Sequence, residues 1–318
     1  MKHRFILFLA VLMITGCSSA RFYHNEPALS FEDIDYGFPT TQGTVNGVGM
    51  AWHDSGGDGP AVLLVHGLAS NAGFWRYNVP ALAAGGLRVI AVDLPGYGKS
   101  DKAYSTPYGM DFYAKTLDAL LAKLGIGSAT VAGHSMGGQI AMTMALQGSA
   151  RVDRLILLSP AGIERFDDGE GRWLMGAVTP AFVINTPEDR VRANLTANFH
   201  SWRDELEWMV EERVRMAKDP AFERFAYVVS RSVTAMVEEP VWQKLDRITL
   251  PILVLAGEND NLIPNPYLHG GTTRGVMEDG VAQFPSAELR MIPCAGHMIQ
   301  IEKPDVVNEA MVSFLRKR

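Results

Sequence analysis

Five short apolar runs constrain the fold of this chain more than any other feature of its sequence. They are rich in β-branched residues and do not alternate between polar and apolar, and they occupy Ala61–Val65, Arg88–Val92, Ala129–Ala132, Leu155–Leu158 and Ile252–Ala256. Strands of this kind are typical of parallel sheets, because helices cover both faces of such sheets. Helical patterns, such as Thr116–Leu124 and Gly138–Leu146, lie between the runs. The alternation predicts an α/β fold with a mostly parallel, doubly wound sheet.

One long segment, residues 163–246, interrupts this alternation with helical patterns only. Thr186 is expected to cap a helix that begins at Pro187, and a further helix is expected over Phe222–Glu238. Between them, Leu206, Met209, Val210 and Val214 form one apolar stripe, and the acidic residues, Glu212 included, fall elsewhere on that helix. We interpret 163–246 as a helical cap over the carboxyl edge of the sheet, where open α/β sheets bind ligands.

The predicted cap divides the core into two parts, residues 43–162 and 247–318. Residues 17–42 are interpreted as a tether that leads into the first strand, and Asn46-Gly47 predicts a hairpin turn. Residues 264–287, which lie between the fifth apolar run and the last strand-like run, carry no pattern that predicts their structure. They either rim a ligand pocket or lie at the surface, and we favour the surface.

The first 16 residues have the features of a secretory signal peptide. A basic start is followed by ten apolar residues, Phe5–Ile14, which are too few to span a bilayer, since a helical span needs about 20. The sequence Ile14-Thr15-Gly16-Cys17 resembles the lipobox of bacterial lipoproteins, in which the cysteine is lipidated. That resemblance implies a protein anchored through Cys17 in the bacterial cell envelope, on its periplasmic or surface side, and in the outer membrane if the host is Gram-negative. The alternative is a plain signal peptide with a chance cysteine.

Charge and motif content exclude several classes of partner. The chain has 29 basic and 35 acidic residues, a formal net charge of −6, whereas nucleic-acid-binding domains usually carry a basic face. No G-x-G-x-x-G follows the first apolar run, no phosphate-binding P-loop is present, and histidine and cysteine do not cluster at metal-ligand spacing. We therefore predict no cofactor, no metal and no nucleic-acid partner.

A candidate nucleophile lies at Gly133-His134-Ser135-Met136-Gly137. This G-x-S-x-G motif follows one apolar run and precedes a helical pattern, which is the context of a nucleophile elbow. The glycines allow a sharp turn that exposes the hydroxyl of Ser135. The amide groups at the start of the helix then face any negative charge that develops on a substrate.

A serine hydroxyl needs a base to accept its proton, and the base needs an acid to orient it. His297 follows the last strand-like run, Glu288–Ile292, and Asp260 follows Ile252–Ala256. These positions give the chain order Ser, Asp, His, which is the order found in α/β-hydrolases.

Other residues compete for the same roles. His66 also follows a strand end, but it precedes the nucleophile in the chain. Glu258 lies on the same turn as Asp260, and Asp246 lies before the strand. Reach favours Asp260 as the acid.

Five motifs together resemble the α/β-hydrolase superfamily, in its small capped branch of esterases, lipases, carbon–carbon hydrolases and haloperoxidase-like enzymes. They are Val65-His66-Gly67-Leu68 with Trp75, the segment from Asp93 to Ser100, the Ser135 elbow, Gly257 to Asp260, and Gly296-His297 with Glu302-Lys303-Pro304. The resemblance implies a catalytic triad of Ser135, Asp260 and His297. It also implies an oxyanion hole formed by the amides of Leu68 and Met136, and a structural role for His66.

We interpret the protein as a lipid-anchored serine hydrolase that cleaves small carboxylic esters of apolar acyl groups through an acyl-enzyme. A carbon–carbon bond hydrolase shares every motif named, and a non-catalytic, ligand-binding envelope lipoprotein is an alternative from another class. Large apolar residues of the cap, Trp173, Met175 and Phe182, are candidates to line the substrate pocket.

Overall fold

An eight-stranded sheet forms the centre of the computed structural model, which describes residues 21–317. Its strands are, in chain order, β1 (Thr41–Val45), β2 (Val48–Asp54), β3 (Ala61–Val65), β4 (Arg88–Val92), β5 (Ala129–His134), β6 (Val152–Leu158), β7 (Ile252–Gly257) and β8 (Ala287–Ile292). Their order in space is β1-β2-β4-β3-β5-β6-β7-β8. The β1–β2 and β2–β4 pairs are antiparallel and the other five are parallel. The predicted α/β class with a mostly parallel sheet is confirmed.

The five apolar runs become the strands β3 to β7. Side chains such as Leu63, Val131 and Leu253 are fully buried, because helices flank the sheet. The register aligns the carboxyl ends of the strands: Val65 lies opposite Gly133, and Gly257 lies opposite Ile292. The loops that follow β3, β5, β7 and β8 therefore meet at one edge of the sheet.

Eleven α-helices occur in the described chain. They are α1 (Val79–Ala84), α2 (Met110–Lys123), α3 (Met136–Leu146), α4 (Asp168–Ala177), α5 (Pro180–Ile184), α6 (Glu188–Thr196), α7 (Glu207–Met216), α8 (Phe222–Glu238), α9 (Thr273–Val281), α10 (Ile299–Glu302) and α11 (Pro304–Arg316). In the core, α2 packs on α3 and α1 packs on α11.

The five helices α4 to α8 lie between β6 and β7, within the segment interpreted as a cap, and no strand occurs among them. Helix α8 joins this segment to the core. Its Phe225 and Val228 are buried, and the Tyr97 hydroxyl donates a 2.8 Å hydrogen bond to Ser232 Oγ. Both α4 and α5 pack against α8. The cap is thus attached to the core mainly through one long, amphipathic helix.

One expectation for local structure is wrong, and one segment without a predicted structure contains a helix. Thr186 does not cap α6, because Pro187 occupies the cap position and the Thr186 hydroxyl instead donates to the carbonyl of Phe182 at 2.6 Å. Residues 264–287 include the helix α9, which begins with the Thr272 side chain accepting a hydrogen bond from Gly275. The glycines of this segment mask its helical pattern, since glycine is a poor helix former.

The interpretation of residues 17–42 as a tether is also wrong for its described part. Phe31, Ile34 and Tyr36 are almost fully buried in the core. The Tyr36 hydroxyl donates a 2.7 Å hydrogen bond to Asp93. Spaced apolar residues in a polar stretch can pack one by one against a core, so composition alone does not reveal their burial.

The signal peptide, residues 1–16, and the lipidation site Cys17 lie outside the described residues. Within residues 21–317, no helix has the length and apolarity needed to cross a membrane.

Candidate active site

Ser135 lies in the sharp turn between β5 and α3. Its backbone has φ 53° and ψ −118°, a conformation that non-glycine residues rarely adopt and that is typical of strained functional positions. A Cβ atom on Gly133 would collide with the carbonyl group of Gly137, and one on Gly137 would collide with the carbonyl of Val65. Only glycine therefore fits at either side of the motif, and the tight turn presents the side chain of Ser135 at the sheet edge.

Asp260 and His297 form a buried pair at the same edge. The Asp260 Oδ2 and His297 Nδ1 atoms are 2.7 Å apart, and the two residues are 7% and 3% exposed. The second carboxylate oxygen of Asp260 accepts hydrogen bonds from the amides of Leu262 and Ile263, at 2.8 and 3.1 Å. Because a carboxylate can only accept, Nδ1 carries the proton and Nε2 has the free lone pair that a base needs.

The imidazole of His297 lies next to the elbow. The ring of His134, which precedes Ser135, packs edge-on against the His297 ring with 4.8 Å between centroids. His134 Nε2 is 3.0 Å from the His297 carbonyl oxygen. Ser135 Oγ and the His297 ring form no hydrogen bond in the described structure, although catalytic hydrogen bonds often tighten only when substrate is bound. The fold therefore brings Ser135, His297 and Asp260 to one site.

The structure separates the competing acids. Glu258 pairs with Arg274 at the surface, and its side chain is 39% exposed. Asp246 lies in a 3₁₀ turn before β7. Only Asp260, of these three, contacts His297.

The helix α9 supports the loop that carries the acid. The Thr273 hydroxyl, near the start of α9, is 3.2 Å from the Asp260 carbonyl oxygen and 2.7 Å from that of Ile263. Thr273 is itself buried. The segment 264–287 is thus more than a surface loop, because one end of it fixes the backbone beside Asp260.

The loop that carries His297 is held from the cap. The amide of His297 donates to the carbonyl oxygen of Asn198 at 2.8 Å. The carboxylate of Glu302 accepts from the amides of Gly296 and Ser201, both at 2.8 Å. Sequence reasoning missed Asn198, since a backbone carbonyl leaves no signal in side-chain identity.

The backbone amides of Leu68 and Met136, which are predicted to form the oxyanion hole, lie in the two segments next to Ser135. No described residue accepts a hydrogen bond from the amide of Leu68 or of Met136, the first residue of α3. A Cβ atom on Gly67 would lie 3.1 Å from Ser135 Cβ, so the loop after β3 passes directly beside the candidate nucleophile. Two unpaired amides next to the serine can stabilise the oxyanion of an acyl-transfer reaction.

His66 stabilises this loop from beneath. It is 1% exposed, its Nδ1 lies 2.8 Å from the Gly67 carbonyl oxygen, and its Nε2 accepts from the Leu94 amide at 3.2 Å. Burial lowers the pKa of His66 to about 4, which keeps the ring neutral. These contacts use both ring nitrogens and support a structural role for His66.

A cavity of about 290 Å³ lies between the cap and the loop after β3, residues 66–71, which we call the oxyanion loop. Its lining is mostly apolar and includes Leu68, Phe182, Val183, Leu195, Met209, Val229 and Met298. Of the predicted pocket residues, Phe182 lines the cavity, whereas Trp173 and Met175 do not. Trp173 instead packs against Tyr267, with 5.9 Å between ring centroids, and is 45% exposed.

Two charged residues of α7 also line the cavity, which no sequence pattern predicts. Glu212 is buried and accepts a 2.8 Å hydrogen bond from Asn71 of the oxyanion loop. Burial raises the pKa of Glu212 to about 7. The guanidinium of Arg213 lies against Phe222 and Phe225, and its Nη1 is buried without a hydrogen-bond partner in the described structure. Charged residues are rarely buried, so the apolar stripe of this helix predicts the exposed side for Glu212, whereas no prediction is made for Arg213.

Within residues 21–317, no group of three or more His, Cys, Asp or Glu side chains could hold a metal ion. The absence of a cofactor stays a prediction.

The family model described as alpha/beta hydrolase fold matches residues 60–304 of the chain. This match spans the five motifs that carry the candidate site, from the oxyanion loop to the segment that follows His297.

Three known proteins illustrate the range of similar chains. The chain is 31% identical over 278 residues to the dihydrolipoyllysine-residue acetyltransferase component of the acetoin cleaving system of Pseudomonas putida, covering 86% of this chain and 68% of the relative. It is 30% identical over 280 residues to a 2-hydroxy-6-oxononadienedioate/2-hydroxy-6-oxononatrienedioate hydrolase of Burkholderia vietnamiensis, covering 84% and 90%. A thermophilic esterase from Thermogutta terrifontis has a TM-score of 0.73 and 26% identity, covering 88% and 99%.

Proposed function

Because the chain belongs to the alpha/beta hydrolase fold family and is a hydrolase, we propose that it cleaves carboxylic esters of apolar acyl groups through an acyl-enzyme. The observation that carries the proposal is the buried pair of Asp260 and His297 beside Ser135 at the sheet edge. The apolar lining of the adjoining cavity supports apolar acyl groups.

The proposed reaction has two steps, acylation of Ser135 and hydrolysis of the acyl-enzyme, and His297 accepts and returns a proton in each step. Ser135 Oγ attacks the ester carbonyl while His297 Nε2 accepts its proton, and the amides of Leu68 and Met136 stabilise the oxyanion. His297 then returns the proton to the leaving alcohol, and an acyl group remains on Ser135. Water, activated by the same imidazole, releases the carboxylic acid and restores the serine. Asp260 stays ionised and orients His297 throughout.

A series of p-nitrophenyl esters of increasing acyl length tests the proposal. We expect turnover that Ser135→Ala abolishes, with unchanged folding by circular dichroism. Absence of turnover with every ester contradicts ester hydrolysis.

A second candidate is a carbon–carbon bond hydrolase. The Burkholderia relative is named for dienedioate substrates, which carry two carboxylates, and Arg213 offers a buried, unpaired guanidinium nitrogen that suits one of them. A 2-hydroxy-6-oxononadienedioate substrate distinguishes the candidates, since its turnover is read by loss of absorbance of the dienol. Turnover of this compound above that of every ester, with a raised KM in Arg213→Gln, identifies the carbon–carbon hydrolase.

We also propose that the protein is anchored through a lipidated Cys17 in the bacterial cell envelope, with the outer membrane favoured in a Gram-negative host. The proposal rests on the lipobox-like sequence before Cys17. A ligand-binding envelope lipoprotein without catalysis is the outcome if the folded, anchored protein cleaves neither substrate class.

A further inference from the structure

The first described residues of the chain are fixed to the cap. The amides of Tyr23 and His24 donate to the carboxylate of Glu188, at the start of α6, at 2.7 and 3.0 Å. The Lys218 ammonium group donates to the carbonyl oxygen of His24 at 2.7 Å. Tyr23 is 7% exposed and packs with buried side chains of α7, among them Val210. The chain therefore emerges at the α6–α7 side of the cap.

The mouth of the cavity lies in the same part of the cap. Phe182 of α5 lines the cavity and is also 53% exposed, which places it at the opening. Thr186 and Val191, on either side of Glu188, line the cavity as well. The cavity opening and the docking point of the N-terminal segment are thus only a few residues apart along α5 and α6.

Two exposed apolar side chains lie close along the chain to the contact between Tyr23 and Glu188, and we call this part of the cap the apolar corner. Phe22 is 60% exposed, and Ile184, two residues after Phe182, is 40% exposed. Both basic and acidic side chains occur nearby, Arg190 and Asp189 among them, so the corner has no strong charge of one sign. Such a surface suits contact through apolar burial rather than through attraction to an anionic surface.

Chain length limits the distance between this corner and the proposed lipid. Cys17 precedes Arg21 by four residues. Four residues span at most about 14 Å when fully extended. The carbonyl of Arg21 accepts a hydrogen bond from Arg192 of α6, so a lipid on Cys17 keeps α6 close to the bilayer surface.

We propose that the mouth of the cavity rests on the lipid bilayer, with Phe22, Phe182 and Ile184 in its interface, and that the substrates are amphiphilic esters resident in that leaflet. Aromatic and aliphatic side chains are typical of protein surfaces that bind at the interface between lipid headgroups and acyl chains. A lipid anchor supplies attachment, and the apolar corner supplies orientation. The inference rests on the proposed ester hydrolysis and on the lipidation of Cys17.

Lipid-quencher fluorescence tests the orientation without any turnover. The full lipidated chain, in a Cys294→Ser background, carries an environment-sensitive dye on Ile184→Cys, or on Val306→Cys as the control, and is reconstituted into phosphatidylcholine liposomes with nitroxide-labelled lipid. Val306 is 49% exposed and lies on the core helix α11. We expect quenching at 184 at least about threefold stronger than at 306, because only position 184 reaches the interface. Equal quenching overturns the proposal.

An activity comparison tests the substrate class. In the Phe22→Ser/Ile184→Ser variant, we expect turnover of a long-chain ester embedded in liposomes to fall by about tenfold, since the cavity is no longer held at the interface. Soluble p-nitrophenyl acetate and the Val306→Ser control stay at wild-type rates. Equal loss with both esters overturns the proposal.

Two further outcomes are distinguished. A wild-type protein that cleaves neither ester refutes the proposed function, while the quenching result stands by itself. A dimer in size-exclusion chromatography that the Phe22→Ser/Ile184→Ser variant dissolves assigns the apolar corner to a second copy of the chain and overturns the membrane proposal.

Discussion

At the scale of single residues, the contact between Asp260 and His297 determines which nitrogen of the imidazole can act as a base. Two backbone amides and the ring itself hold the carboxylate in place. Nδ1 therefore acts as the hydrogen-bond donor to Asp260, which leaves the lone pair of Nε2 free to accept a proton. An amide in place of the carboxylate can donate to Nδ1 and so favours the wrong tautomer.

Asp260→Asn is therefore expected to lower kcat by about 10⁴-fold while the fold stays intact. Glu258→Gln is the matched control, since Glu258 lies two residues away and pairs with Arg274 at the surface. Ester turnover and circular dichroism report the two effects. A severe loss in Glu258→Gln with a mild one in Asp260→Asn contradicts the assignment of the acid.

Glu212 gives the protein a pH-dependent stability. Its folded-state pKa is raised by burial to about 7, from a usual value of 4.5. Because the folded state binds this proton more tightly, stability falls as pH rises from about 4.5 to about 7. Glu212→Gln removes this loss of stability. The Tm of the variant minus the Tm of the wild type should therefore be larger at pH 8 than at pH 4.5.

The matched control for this prediction is Glu211→Gln. Glu211 neighbours Glu212 on α7, but its side chain is 38% exposed and pairs with Arg215. Thermal melts at both pH values compare the variants. A Tm difference for Glu212→Gln that does not change with pH refutes the account of this buried carboxyl.

At the scale of elements, the loop after Asp260 is connected to the beginning of the cap through His269. Its Nδ1 lies 2.6 Å from Glu164 and its Nε2 lies 3.1 Å from Glu170, and the ring stacks on Phe166. The hydrogen bond with Glu164 is the main cause of the raised pKa of His269. The protonated ring can donate to both carboxylates, whereas the neutral ring can donate to only one.

The pKa of His269 is higher in the folded state than in the unfolded chain, where it is near 6.5. The resulting stability is fully present below pH 6.5 and is lost as the pH rises through the folded-state pKa. His269→Ala should accordingly lower Tm more at pH 5.5 than at pH 8.5. The effect is modest, because the ring is 26% exposed. His200→Ala, an exposed histidine of the cap, serves as the control. A larger loss at pH 8.5 contradicts the proposed tie.

Phe182 and Trp173 were both predicted to line the substrate pocket, but the cap helices place them in different surroundings. Phe182 lines the cavity, whereas Trp173 packs on Tyr267 outside it. Phe182→Ala should move the optimum acyl length of p-nitrophenyl esters toward longer chains, because it enlarges the cavity. Trp173→Ala should lower Tm and leave that optimum in place. A shift caused by Trp173→Ala alone contradicts the position of the pocket.

Sequence patterns predicted the strands well and the cap surface less well, for physical reasons. A buried parallel strand must be apolar on both faces, so Ala61–Val65 and Arg88–Val92 could be assigned with the bounds that the structure has. The apolar stripe of α7 predicts an exposed position for Glu212, because the stripe reports only which face of the helix is apolar. It does not show that the loop after β3 packs against the opposite face. Asn71 supplies the partner from 141 positions away. Such long-range pairing leaves no local signal.

At the scale of the whole molecule, parallel strands and one cap bring distant parts of the chain to a single edge. Ser135, Asp260 and His297 could be selected from the sequence, because each follows a predicted strand and the carboxyl ends of parallel strands share an edge. The contacts that hold them in place, through Asn198 and Thr273, could not.

The proposed anchor also belongs to this scale. A Cys17→Ser protein should move from the membrane fraction to the soluble fraction, since stable anchoring depends on the attached acyl chains. Immunoblots of both fractions measure this. A variant that stays uncleaved in the membrane contradicts lipid anchoring and assigns the attachment to the apolar run Phe5–Ile14.

The proposed reaction requires Ser135 to be an activated nucleophile. A fluorophosphonate probe reacts with a serine whose proton is taken by a neighbouring base, so labelling followed by peptide mass spectrometry measures this activation. We predict one adduct, on Ser135, which is absent from Ser135→Ala and strongly reduced in His297→Ala. A folded wild-type protein that carries no adduct on Ser135 would contradict the assignment of the nucleophile.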